Sequence, residues 1–163
     1  MNALVQTQQR DQIFEIILNR PEKRNALTWS MMTELASAID EAEKVAGIRA
    51  VLIRGEGSGF SAGIDVTSFA ESSANFGEQW RDNLFPLTAA YQNITNKIAR
   101  CSLPTIALLH GYCLGLGFEI ALACDFRLAA LGTKMGLPET RLGIIPDVGG
   151  TTRLTRLVGV ARA

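Results

Sequence analysis

Pro104-Thr105-Ile106-Ala107-Leu108-Leu109 runs straight into His110-Gly111-Tyr112-Cys113-Leu114-Gly115-Leu116-Gly117, and that into Phe118-Glu119-Ile120-Ala121-Leu122-Ala123-Cys124. The first six residues are short and apolar, the pattern of a buried strand. The next eight form a glycine loop, and the last seven read as a short buried helix. Asp125–Leu131 then reads as another strand. A strand reached from its predecessor through a helical crossover pairs in parallel, so this stretch sets the class as α/β with largely parallel pairing.

Working outward, Gln12–Leu18 (QIFEIIL) and Arg49–Arg54 (RAVLIR) read as further strands. Between them lies a polar, Pro-containing loop, Asn19–Asn25, and then a helix. Thr28 is its expected N-cap; Met31, Met32, Leu35, Ile39, Ala42 and Ala46 recur at helical spacing, with Gly47 as the stop. Gly55–Gly63 carries four glycines in nine residues, a shaped loop whose backbone approaches something closely. Phe76–Ala99 has helical period, as one helix or as two with Pro86 marking a kink or a fresh start. Gly136–Asp147 reads as irregular and Gly150–Val158 as a final helix. Leu157–Ala163 reads as a helix-rich segment that continues, not as a finished end. The chain shows no repeat, low-complexity tract or linker, and one domain is expected over residues 1–163.

Composition narrows the function. The 163 residues are 47% hydrophobic and 20% charged, ordinary globular values that exclude wholesale disorder. Lys+Arg and Asp+Glu both number 16, and a net charge of zero argues against nucleic-acid or anionic-membrane binding. No apolar run reaches the roughly 18–20 residues of a membrane span. The N-terminal stretch from Met1 to Gln12 has no basic-then-apolar leader pattern. Three cysteines, Cys101, Cys113 and Cys124, are too few and too widely spaced for a disulfide framework or a zinc site. A soluble cytoplasmic protein with reduced thiols, no metal and no membrane or nucleic-acid partner is expected.

Both glycine loops follow strands, and ligands of parallel α/β sheets gather at the carboxyl ends of strands. Two backbone N–H groups, one from each loop, aimed at one carbonyl oxygen would form an oxyanion hole. Taken alone, each loop reads as a turn needing positive φ; the pair, with acids nearby, points to a site. Three acids lie nearby. Glu119 sits in an apolar run, where a carboxylate must be paired, protonated or tuned for proton transfer. Glu139 follows Pro138 in a loop, which leaves its side chain free to aim. Asp147 precedes Val148-Gly149-Gly150, where a helix cap is the alternative. His110 and Cys113 could suggest a base and a nucleophile, but no orienting partner is in view. Gly115-Leu116-Gly117-Phe118-Glu119-Ile120 lacks the third glycine of a dinucleotide fingerprint, which argues against an NAD-binding module. Arg20, Lys23 and Arg24 read as solvated loop charges, with contact to a phosphate as the alternative.

Four separated motifs, in order, resemble the enoyl-CoA hydratase/isomerase (crotonase) family: Leu18–Leu27, Phe60–Asp65, His110–Glu119 and Leu137–Thr151. The resemblance spans roughly residues 12–159. It implies a spiral of repeated ββα units with C-terminal helices, assembled as a homotrimer or a dimer of trimers. The family's chains run longer, so a C-terminal helical part is expected to be missing. The substrate implied is an acyl-CoA thioester, with CoA part of the substrate and no separate cofactor. Carried over by motif, the oxyanion-hole donors are the backbone N–H groups of Ile64 and Leu116. Arg24, Ala26, Ala62, Gly63, Asp65 and Gly115 fall at CoA- and substrate-binding positions. Glu119 and Glu139 match the two glutamates of the hydratases. Asp147 resembles the third acid of the dienoyl-CoA isomerases, although that branch usually has Asp where this chain has Glu119. Hydration of an enoyl-CoA is the leading expectation and dienoyl- or enoyl-CoA isomerisation the second. A truncated, inactive acyl-CoA-binding protein is the alternative of another class.

Overall fold

The structure, a computed structural model, describes residues 3–163, with residues 69–73 in backbone only. Met1 and Asn2, which begin the stretch read for a leader, lie outside the described residues. A five-stranded sheet forms the centre: β1 (Val5–Arg10), β2 (Ile13–Leu18), β3 (Ala50–Gly55), β4 (Thr105–Leu109) and β6 (Phe126–Ala129), side by side in that order. β1 pairs antiparallel with β2 through a tight turn at Asp11, and all later neighbours pair in parallel. A second, two-stranded sheet pairs β5 (Tyr112–Leu114) with β7 (Lys134–Gly136). Ser61 bridges Cys113 of β5 in parallel. Each circuit of the chain thus adds one strand to the large sheet and the next few residues to the small layer. Ser61, β5 and β7 repeat the order of β3, β4 and β6, which is the ββα spiral that was expected.

Local rules explain most elements. In β3, Val51 and Ile53 are fully buried while Leu52 and Arg54 turn to the other face, the two-residue alternation of a strand. Thr28 caps α1 (Trp29–Ala42), its Oγ1 accepting from the Met31 N–H at 3.2 Å. That helix buries Met31, Met32, Leu35, Ala38, Ile39 and Ala42 along one face. Burying each large apolar side chain contributes about 1.5–3 kcal/mol. α1 ends at Ala42 and not at Gly47, because Lys44 and Val45 both fold back onto the Glu41 carbonyl as a turn. The Phe76–Ala99 segment divides: α2 (Ser72–Phe76) ends there, and α3 (Phe85–Ala99) starts afresh with Pro86 in its first turn, where a missing N–H costs nothing. α4 spans Leu116–Ala123, and α5 Gly150–Val158. The continuing helix expected past Val158 is absent: Gly159, at φ 80°, closes α5 and the described chain ends in a turn.

Candidate active site

The two glycine loops meet. A Cβ built on Gly63 would lie 2.9 Å from the Leu114 carbonyl, and one on Gly115 would lie 3.8 Å from the Gly63 Cα. Gly115 also adopts φ 52°, a conformation that disfavours any side chain. The first loop is tied in place by the motif at residues 18–27, and the second is bonded to the first, the Leu114 N–H donating to the Ser61 carbonyl at 3.0 Å. The buried Asn25 donates from Nδ2 to the carbonyls of Glu56 (2.8 Å) and Gly59 (3.0 Å), and its Oδ1 accepts from the Arg20 N–H (2.9 Å). Ser61 Oγ donates to the Asn25 carbonyl at 2.8 Å and accepts from the Gly63 N–H at 3.1 Å.

This stitching aims the Ile64 amide. Leu27 bridges Ile64 in parallel, its N–H donating to the Gly63 carbonyl (2.8 Å) and its carbonyl accepting from the Asp65 N–H (2.9 Å). In such a bridge the N–H of the middle residue points to the opposite side. The Leu116 amide is the first of α4 and has no intrahelical acceptor. Neither N–H has a hydrogen-bond acceptor among the described residues. Ile64 and Leu116 line one cavity of about 620 Å³, and Glu119, Glu139 and Asp147 line it with them.

The three acids sit differently. Glu119, in the first turn of α4, is 2% exposed. Among the described residues no arginine pairs with it; its Oε1 accepts from the backbone N–H groups of Val148 (3.0 Å) and Gly150 (2.7 Å). Burial, reinforced by the nearby charges of Glu139 and Asp147, overrides those bonds and pushes its pKa up to about 7. Glu139 opens a 3-10 turn, Glu139–Leu142, and is buried, not free in a loop. Its Oε1 would lie 2.9 Å from a Cβ on Gly115, so a side chain there would push the carboxylate aside. Its Oε2 is buried with no partner among the described residues. Burial, with Asp147 nearby, raises its pKa. Asp147 is exposed and does not cap α5, whose N-cap is Gly149 without a side-chain bond. Its Oδ2 accepts from Thr88 Oγ1 at 2.9 Å.

The expected CoA-binding positions fall beside this cavity and not in its wall. Arg24 is exposed at φ 56°, and its carbonyl accepts from the Ala62 N–H at 3.0 Å. The Ala26 carbonyl accepts from Arg20 Nη1 at 3.1 Å. Asp65 is buried and engaged: Oδ2 meets Arg20 Nη1 at 2.5 Å, and Oδ1 accepts from the Thr67 N–H (2.9 Å) and hydroxyl (2.6 Å). Burial alone would raise its pKa, but the bonds from Thr67 and Arg20 win and hold it at about 2. Arg20 is therefore not a solvated charge. His110 turns its Nε2 to the Gly57 carbonyl (2.9 Å), and Cys113 is fully buried with burial pushing its thiol pKa up. They form no nucleophile–base pair.

Sequence reading missed the apolar wall. Leu84, Leu87, Tyr91, Ile144 and Ile145 line the cavity, and the Arg81 guanidinium stacks 4.6 Å from the Trp80 ring centre at its edge. Leu84, Leu87 and Tyr91 share one face at helical spacing, a signal that marks a buried stripe without telling a core from a cavity.

The chain is similar to known proteins over nearly its whole length. The family model described as enoyl-CoA hydratase/isomerase matches residues 8–163. A probable enoyl-CoA hydratase of Bacillus subtilis is 40% identical over 153 residues, 94% of this chain and 57% of that protein. A Delta(3,5)-Delta(2,4)-dienoyl-CoA isomerase of Dictyostelium discoideum is 37% identical over 90% of this chain and 52% of its own length. The crystal structure of an enoyl-CoA hydratase from Thermoplasma volcanium superposes with a TM-score of 0.86 at 34% identity, covering 98% of this chain and 61% of that one. The chain thus spans little more than half the length of these relatives. Its two linked glycine loops, its spiral of strands and the family match over residues 8–163 lead to one conclusion: the chain belongs to the enoyl-CoA hydratase/isomerase family and has the crotonase fold.

Proposed function

We propose that the protein adds water across the 2,3 double bond of an enoyl-CoA thioester, with CoA entering as part of the substrate and no separate cofactor. One observation carries this reading: two acceptor-free backbone amides and two buried glutamates line the same cavity. The Ile64 and Leu116 N–H groups receive the thioester oxygen and stabilise the enolate charge that develops on it. In other enzymes one such donor is worth about 2.7–4 kcal/mol in the transition state. Hydration needs a carboxylate to take a proton from the attacking water and a carboxylic acid to deliver one to Cα. Glu119 and Glu139 are both raised in pKa by burial, and Glu139 also pushes Glu119 upward by charge repulsion. Charge repulsion in such a pair favours one protonated and one ionised member, the acid and the base that hydration needs.

A second reading, dienoyl-CoA isomerisation, is supported by Asp147, a third carboxylate on the same cavity wall, and by the isomerase relative. Crotonyl-CoA and a 3,5-dienoyl-CoA separate the two. Loss of conjugated thioester absorbance from crotonyl-CoA supports hydration. Inactivity there, with a shift of conjugation in the dienoyl substrate, replaces it with isomerisation. Thermal stabilisation by acyl-CoA without turnover of either leaves only a binding protein.

A further inference from the structure

Both bonds to Glu119 come from the turn that enters α5, and that turn is gripped from outside the cavity. Gln92 and Asn96 lie four residues apart on one face of α3, with Thr95 between them. Gln92 Nε2 donates to the Asp147 carbonyl at 2.6 Å. That carbonyl belongs to the same peptide group as the Val148 N–H, which donates to Glu119 from its opposite edge. Thr95 Oγ1 and Arg153 Nη1 both donate to the Val148 carbonyl at 3.1 Å, and Arg153 Nη2 donates to Asn96 Oδ1 at 2.7 Å. The backbone N–H of Arg153 reaches the Gly149 carbonyl at 3.0 Å, in the peptide group whose N–H is the second donor to Glu119. Gly149 adopts φ 106°, and a Cβ there would collide with the Arg153 guanidinium. Each peptide group that holds Glu119 is therefore held at its own carbonyl end.

We propose that Gln92 and Arg153 are positioning residues for Glu119. Neither lines the cavity. Gln92 fixes and polarises the 147–148 peptide group, whose N–H donates to the Glu119 carboxylate, and the Arg153 side chain anchors the intervening Val148 carbonyl, which keeps the Val148 and Gly150 N–H groups aimed at Glu119. A hydrogen bond to a peptide carbonyl strengthens the donor at the other end of the same group. Without that support the N–H bonds lengthen, and Glu119 holds its proton to higher pH. The charged groups facing Glu119 are Glu139, Asp147 and Arg153. All three remain in Gln92→Met, so a shift in that variant reports on the turn and not on a lost charge.

This proposal rests on Glu119 handling a proton in turnover, but its test does not need turnover. The Glu119 carboxyl is titrated by carbon NMR in glutamate-labelled protein, its signal assigned by difference with Glu119→Gln. Gln92→Met is expected to raise the midpoint by about half to one pH unit, the size of a weakened charge-assisted hydrogen bond. The Glu119-dependent limb of the kcat profile should move by the same amount, with KM within about twofold. Arg153→Lys keeps the charge but cannot span Val148 and Asn96, and should shift the midpoint in the same direction; Arg153→Met should shift it further. Gln92 is half-buried, so its variant serves if the Arg153 variants do not fold. An unmoved midpoint in Gln92→Met, with or without a lower melting temperature, reduces Gln92 to a structural support, an unmoved midpoint in Arg153→Lys does the same for Arg153, and either result overturns the proposal for that residue. A moved midpoint in a protein with no activity on enoyl-CoA leaves the positioning intact and removes the hydratase reading instead.

Discussion

Replacing Glu119 by glutamine should make the protein more stable and far less active, and the stability gain should depend on pH. Glu119 titrates near pH 7 in the folded chain against 4.5 for a free glutamate. A carboxyl whose folded pKa is raised loses its proton more readily when unfolded. Its contribution is therefore most favourable below pH 4.5 and is lost as pH rises through 7. At about 1.4 kcal/mol per pH unit, the carboxylate costs the fold on the order of 3 kcal/mol above pH 8. The group is 2% exposed, so solvent screens little of this. Glutamine is neutral at every pH, and its amide oxygen still accepts from Val148 and Gly150. Glu119→Gln should raise the melting temperature by roughly 6–12 °C at pH 8 for a chain of this size, and by little at pH 4.5. Turnover of crotonyl-CoA should fall by about 10²–10⁴-fold, the range for loss of a general acid or base. Thermal unfolding at the two pH values, beside the hydration assay, tests both halves. Equal stabilisation at both pH values, or destabilisation at pH 8, would refute the claim that burial strains this carboxylate.

Glu139→Gln should also remove most turnover while leaving CoA affinity near normal by calorimetry; a full rate in that variant strips Glu139 of its assigned role. Leu116→Pro deletes one proposed oxyanion donor at the first position of α4, where proline is tolerated, and should lower kcat by roughly 10²–10³-fold with the fold retained by circular dichroism. An unchanged rate there would show that this amide does not meet the thioester. Asp65→Asn should cost about 2 kcal/mol at neutral pH, because a carboxylate held at about 2 stabilises the fold above its ordinary pKa and loses that effect as pH falls through 2. Chemical denaturation at pH 7 and near pH 2 should show the difference shrinking.

Much of this protein was legible in one dimension. The β2, β3 and β4 strands, the Thr28 cap and the start of α5 follow from local period and capping chemistry, which act over a few residues. The four motifs placed Glu119, Glu139 and Asp147 near one another, and the structure lines one cavity with all three. Other features had no local signal. β1 is a polar edge strand, with only Val5 buried, and β5 and β7 are three residues each, too short to show a period. The Arg20–Asp65 pair, the Asn25 clasp and the grip of Gln92 and Arg153 on the 147–150 turn join residues far apart in the chain. Spacing encodes which face a residue takes within its own element. Which distant groups then meet, and so whether a buried glutamate is paired with an arginine or held by backbone amides at a pKa of about 7, depends on how the spiral packs and excludes water.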